Sequence, residues 1–387
     1  MSPGRLPAVL AAGSLLIAGA LAGCGAAPAT SPAGPAVPAA PPPLQTSFAD
    51  GTGTGWAVVE MGGSAAQEEN FWELFARPAG AAAWRLVTPG GVADNGGLVA
   101  ASAGGPSLLT GFLPSQDLTF SPLAATSNGG TSWSTAGPVN PGLAHVPDAL
   151  AAGPGGSLIA LTSGGAELGQ HGGAAWTRLS TARALAATPA GQACQVTGLT
   201  AVAFGSAGAP VPGTAPVLGT GCSRPAFAGI FTDSGGHWHA AGPAVPNVRT
   251  DIEVLRLASA GTGLVALLQA GRGPDASTIA AWYDGSRWTL SAPLRTGIAR
   301  STAIGPGGSV GIILNAAHAA TLAGPGASWR ALPARPRWTA TLALGPGGQV
   351  DAIAAHASTF TDWRLSPAAA WSQGQTIRIT IPYGSSG

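Results

Sequence analysis

Few residues in this chain are equipped for chemistry, and their placement narrows what that chemistry could be. The 387 residues include three cysteines, six histidines, two tyrosines and no lysine, so all 17 basic side chains are arginine. Cys194 and Cys222 stand in one long stretch of the chain, far from Cys24. His237 and His239 alternate around Trp238, and alternate residues of a strand share a face. A structural zinc site normally has four protein ligands, and no third ligand stands nearby, so no metal is assigned. The arginines thicken toward the C-terminal half as Arg249, Arg295, Arg300, Arg335 and Arg337, with Asp148 and Asp251 among the acidic residues in equivalent segments. A guanidinium fork takes a carboxylate or sulfate through two parallel hydrogen bonds, so these seven residues are the candidate ligand-binding set. The competing reading is solvated loop charge paired with Asp251 and Glu253, since surface ion pairs are common and weak. Charged residues are only 9% and the net charge is +1, which provides no general field for nucleic acid. No catalytic or cofactor motif is recognised.

The elements that must position these groups repeat. Trp84, Trp133, Trp176, Trp238, Trp288, Trp329 and Trp371 each open a short strand after a Gly-rich turn, at spacings of 41 to 62 residues. A period of about 40–50 residues suits a four-stranded propeller blade. A second marker runs in phase, clearest as Gly153-Pro154-Gly155-Gly156, Gly305-Pro306-Gly307-Gly308 and Gly345-Pro346-Gly347-Gly348. Proline presets φ near −65° and the following glycine accepts positive φ, so this tetrapeptide turns the chain sharply between two strands. The strand before it is rich in small residues, as crowding around an axis requires. The strand after it is a continuous apolar run, Leu158 to Leu161 or Ile312 to Leu314, as suits a strand covered on both faces. A third strand follows, Phe71 to Arg77 or Ile279 to Asp284, and the tryptophan strand completes the unit. The expected architecture is all-β: a seven-bladed β-propeller of four-stranded blades over residues 45–387, closed by contact between the first and last blades. The segment Gln375 to Ile381 alternates as a strand and is expected to pair near Phe48.

Thr126-Ser127-Asn128-Gly129-Gly130-Thr131-Ser132-Trp133 fits Ser/Thr-x-Asp-x-Gly-x-Ser/Thr-Trp with Asn in place of Asp, and Thr232-Asp233-Ser234-Gly235-Gly236-His237-Trp238 is a looser copy. The chain thereby resembles the Asp-box propellers, a group that includes sialidases, sortilin-type receptors and photosystem-assembly propellers. The resemblance implies a structural hairpin at each box, away from the active face, and leaves function open because the boxes occur across unrelated activities. It also implies that ligands enter on the face where outer strands connect to the next inner strands, which is where the candidate arginines fall. A sialidase would need three arginines for the substrate carboxylate, a Tyr/Glu nucleophile pair and an Asp acid/base. The Arg-Ile-Pro motif of those enzymes is absent, Tyr283 adjoins Asp284 in a tryptophan turn, and Tyr383 lies in the tail.

The N-terminus carries an address. Arg5 precedes an apolar stretch from Ala8 to Leu21, too short for a comfortable membrane span. Leu21-Ala22-Gly23-Cys24 resembles the lipobox of bacterial lipoproteins, with a weak n-region as its one departure. That resemblance implies cleavage after residue 23, diacylglycerol and palmitate on Cys24, and a stable anchor from several acyl chains. Residues 24–44 then form a tether of Ala, Pro, Ser and Thr reaching roughly 60 Å at about 3.1 Å per residue. In an exported chain Cys194 and Cys222, at adjacent ends of a hairpin, are expected to form a disulfide; free buried thiols are the alternative. The functional expectation is a non-catalytic, lipid-anchored extracytoplasmic module that binds or scaffolds an envelope protein or glycan, without a cofactor. The alternative is a sialidase-like glycoside hydrolase.

Overall fold

A computed structural model describes residues 44–48, 53–62, 70–90, 93–102, 105–113, 123–135, 147–171, 175–205, 215–260, 263–295, 297–314 and 318–380. Among them, antiparallel pairing produces seven consecutive four-stranded meanders, at residues 44–86, 93–135, 149–180, 196–240, 252–290, 301–331 and 339–378. Their first strands are Leu44–Phe48, Ala93–Ser102, Ala149–Ala152, Val196–Gly205, Ile252–Ala260, Ser301–Ile304 and Thr339–Leu344. Each phased tryptophan stands at the start of a fourth strand or within one residue of it, as at Arg85–Leu86, Ser134–Thr135 and Trp288–Leu290.

The turns form for the reason the sequence suggests. Pro154, Pro306 and Pro346 each open a short 3-10 turn, and the next residues, Gly155, Gly307 and Gly347, take φ of 66°, 66° and 70°. Only glycine adopts that conformation without steric cost. The strands that follow are buried on both sides. In Gly263–Ala270 every residue is buried, because a neighbouring sheet covers each face.

Seven apolar clusters among the described residues each join one meander to another. Val99 and Leu109 of the second pack on Leu150 and Leu158 of the third. One cluster closes the series: Ala57, Val59, Phe75 and Trp84 of the first meander pack with Ala343, Ile353 and Phe360 of the last. Phe75 stacks on Phe360 at 4.1 Å. Polar contacts reinforce this junction. Arg77 pairs with Asp351 at 2.5 Å, both buried, and Gln375 accepts from the Trp84 backbone N–H and donates to its carbonyl. A ring of radially packed sheets, each covering its neighbour, leaves only short exposed edges.

The indoles also staple neighbours. Trp133, Trp288 and Trp329 donate Nε1–H to the carbonyls of Val87, Ala241 and Ala292, just beyond the fourth strand of the preceding meander. The turn before Trp133 must come close to that meander. Gly130 has φ of 83°, and a Cβ there would lie 2.4 Å from Cβ of Val87.

Two features depart from the expected plan. Helices α1 (Ala182–Ala186) and α2 (Pro189–Cys194), each N-capped by a threonine hydroxyl, lie between the third and fourth meanders. The disulfide Cys194–Cys222, with Cα atoms 5.0 Å apart, ties α2 to the second strand of the fourth meander. Leu185 of α1 packs with the disulfide and Phe231, seating the insert on the fourth meander. The last strand also differs. It spans Trp371–Arg378 and pairs with Thr359–Leu365, not with the chain near Phe48. Leu44–Phe48 pairs antiparallel with Gly55–Gly62 and parallel with Ser301–Ile304. Among the described residues, ring closure therefore uses side chains, with a backbone bridge between Gly62 and Ala357.

Candidate binding face

Strand direction sorts every connection onto one of two faces. The Gly-Pro-Gly-Gly turns and the tryptophan turns lie on one. The loops between meanders, and the turns between second and third strands, lie on the other. The bridge from Gly62 to Ala357 and the pairing of Asp251 with Arg272 both join segments of this second, loop face.

Two of the tryptophan turns, those of Asn128 and Asp284, are bonded internally through their side chains, whereas Asp233 Oδ1 in the looser copy is buried with no hydrogen-bond partner among the described residues. Asn128 Oδ1 accepts from Ser132 N–H at 2.9 Å and Asn128 Nδ2 donates to Ser132 Oγ at 2.8 Å. Asp284 Oδ1 accepts from both the backbone and the hydroxyl of Ser286 and from Arg287 N–H. Those bonds, the one from Arg287 foremost, hold its carboxyl down at about 2. The hydrogen-bonding capacity of these side chains is spent on the turn, which is an Asx-type role.

On the loop face the candidate residues separate. Asp148, exposed at the start of the third meander, has its pKa raised by lost hydration. Arg249 is exposed in the loop before the fifth. Asp251 is taken up by Arg272 at 2.7 Å. The remaining four gather at the fifth to seventh meanders. Arg295 ends the short strand Leu294–Arg295. Arg300 is exposed immediately before Ser301–Ile304, and its N–H donates to the Ile313 carbonyl at 2.7 Å. Arg335 donates to the Thr339 carbonyl at 2.9 Å, and its pKa is lowered by desolvation and then by the nearby charge of Arg300.

Arg337 introduces a residue that motif reading passed over. Its guanidinium lies 4.3 Å from the centroid of the Trp338 ring. The Trp338 indole stacks on His356 at 3.9 Å with 7° between planes. Arg337, Trp338 and His356 thus form a ladder with the indole in the middle. Trp338 has φ of 60° and is 48% exposed. A non-glycine residue held at positive φ with half its indole in water is not placed for core packing. The sequence did hold a clue: Trp338 follows Trp329 by nine residues, out of phase with the repeat, so no blade position explains it. The cation–π contact holds the exposed Arg337 guanidinium beside the indole, and a guanidinium fork suits a planar anion.

Two buried cations were not singled out in the sequence either. Arg77 serves ring closure. Arg256, from the first strand of the fifth meander, donates to the Thr302 carbonyl at 3.2 Å and lies over the Trp56 ring at 5.4 Å. Burial pulls its guanidinium down to about 9. First, fifth and sixth meanders meet around this one group, so a charge in an apolar strand marks convergence of inner strands.

His237 and His239 are exposed on the strand His237–Ala240. Among the described residues no group of three or more His, Cys, Asp and Glu side chains is placed to hold a metal. Cys24 lies outside the described residues.

No family model matches the chain, and no curated protein matches it. Solved structures do. A putative 6-phosphogluconolactonase from Bacteroides uniformis is 12% identical, with a TM-score of 0.50, covering 83% of this chain and 96% of that one. YCF48 from Cyanidioschyzon merolae is 14% identical over 84% and 92% of the two chains, TM-score 0.45. A fucose-specific lectin from Aleuria aurantia is 11% identical over 88% and 97%, TM-score 0.41. At such identities the similarity extends to architecture and no further. The closed succession of packed antiparallel meanders, taken with the likeness to the structure at a TM-score of 0.50, makes this chain an all-β protein of the β-propeller fold.

Proposed function

We propose that the chain is a seven-bladed, Asp-box-type β-propeller lipoprotein, anchored outside the cytoplasmic membrane through Cys24, that binds or scaffolds an envelope partner without catalysing a reaction. The partner, a protein or a glycan, offers an anionic group to the loop face. Supporting the blade count are the seven phased tryptophans and the seven meanders. The bonded turn at Asn128 supports the Asp-box reading. Leu21-Ala22-Gly23-Cys24 supports the anchor.

One observation carries the functional reading: Arg300, Arg335 and Arg337 gather beside an exposed, strained Trp338 on the face free of the bonded turns. Preorganised guanidinium groups flanking an aromatic are suited to binding an anion. The test is binding of the full chain to acidic and neutral envelope glycans and to acidic peptides, by calorimetry. Arg300→Gln with Arg337→Gln should weaken binding of acidic ligands at least tenfold and leave the melting temperature unchanged. Binding indifferent to ligand charge would refute the reading. Turnover of an aryl sialoside, lost in Arg300→Gln, would favour the sialidase-like alternative.

A further inference from the structure

The arginine sector has two properties beyond charge. First, it is apolar at its tips. Among the described residues the exposed large hydrophobic side chains are Leu86, Ile298 and Trp338. Two of these three stand on this sector, Ile298 two residues before Arg300 and Trp338 next to Arg337. Second, the first described strand begins here. Leu44 pairs with Ser301 in parallel register, and Ser301 follows Arg300. The first strand therefore begins on the loop face, beside the inner strands of the sixth and seventh meanders. Leu44, the first described residue, thus stands on this face and not on the face of the tryptophan turns.

Arg295, Arg300, Arg335 and Arg337 are four cations in a chain of net charge +1. The carboxylates of the adjoining fifth meander on this face are Asp251, Glu253 and Asp275, and Asp251 is held by Arg272. We infer that this sector docks on the anionic phospholipid headgroups of the bilayer that holds the anchor, with Ile298 and Trp338 at the level of the headgroups. The inference rests on reading this face as a binding surface and Cys24 as its anchor. Its chemistry is that of a membrane-surface contact. Tryptophan favours the headgroup boundary, where its apolar ring and polar N–H are both accommodated. Arginines near an anionic leaflet each add attraction that decays within a Debye length. Because Leu44 starts on this face, this face can meet the bilayer with no need for the chain before it to pass around the ring; the charge and the two apolar tips, not the tether, set the orientation.

The full chain carrying a photoreactive residue at Ile298, or at exposed His171 on the opposite face, is mixed with vesicles of phosphatidylcholine alone or with added phosphatidylglycerol. Position 298 should cross-link to lipid, increasingly so with phosphatidylglycerol, and position 171 should not. Labelling should fall about fivefold for each of Arg300→Gln and Arg337→Gln, both at exposed sites. Equal labelling at 298 and 171, or labelling at 298 indifferent to lipid charge, overturns the inference. So does labelling at 298 that transfers to protein or glycan when envelope material is added, although the binding-surface reading then survives. The anchor is read separately, by sedimentation with vesicles at about 1 M salt, where electrostatic docking is screened; chain lost from the pellet there sinks the anchor alone.

Discussion

Replacing Trp84 with alanine should open the junction between the first and last meanders. The indole is 1% exposed. It packs against Phe360 with ring centroids 6.2 Å apart, beside the Phe75–Phe360 stack, and Arg77 lies over it at 5.1 Å. A tryptophan buries roughly 200 Å², which at about 25 cal/mol per Å² corresponds to about 5 kcal/mol. Partial collapse of the cavity places the expected loss at about 3–5 kcal/mol. For a domain of this size that lowers the melting temperature by roughly 6–10 °C. The site magnifies the consequence, because the junction is where chain ends meet and no continuous strand crosses it. Urea unfolding followed by far-UV circular dichroism measures the change without relying on tryptophan emission. Trp338→Ala is the internal comparison. Its indole is half exposed, so a change within about 0.5 kcal/mol is expected. A loss at Trp84 no larger than at Trp338 would refute the account of ring closure. Trp176, only half-buried, should fall between them.

Breaking the buried pair with Asp351→Asn or Arg77→Met alone should cost about 3–5 kcal/mol, whereas replacing both with apolar residues should cost far less; a double-mutant cycle in urea measures the coupling, and additive losses would count against the pairing. For Asp284 the folded pKa is depressed to about 2, so its contribution to stability is present above the ordinary carboxylate range and is lost as pH falls through about 2. Carbon-detected NMR titration of the Asp284 carboxyl should give that midpoint, moved upward in Ser286→Ala; an ordinary midpoint near 3.9 would contradict the bonded turn. At the N-terminus, Cys24→Ser should abolish labelling by an alkyne fatty acid and release or mislocalise the chain, and label retained on the variant would remove the anchor reading.

The sequence alone determined the repeat, because its markers are local. A proline followed by two glycines turns a strand wherever it occurs, and a tryptophan after a glycine turn opens the fourth strand in every meander. The Cys194–Cys222 pairing was legible for the same reason: two strands joined by a hairpin bring their ends together whatever surrounds them. Helices α1 and α2 escaped because each is too short to show a period. The closing junction escaped for another reason. Arg77 and Asp351 are 274 residues apart, and only completion of the ring brings them into contact. The strand expected over Gln375 to Ile381 is present as far as Arg378 but pairs elsewhere, since alternation reports a strand and not its partner. On the candidate face, the loop positions of Arg300, Arg335 and Arg337 followed from the repeat. Which of the seven candidates would stand together did not, because loop side chains are placed by neighbours from other meanders. Asp251 was drawn to Arg272, Arg337 was laid on Trp338, and Trp338 was set on His356 by the fold of the last meander, a stacking that requires both the positive φ at Trp338 and the return of the second strand beside it.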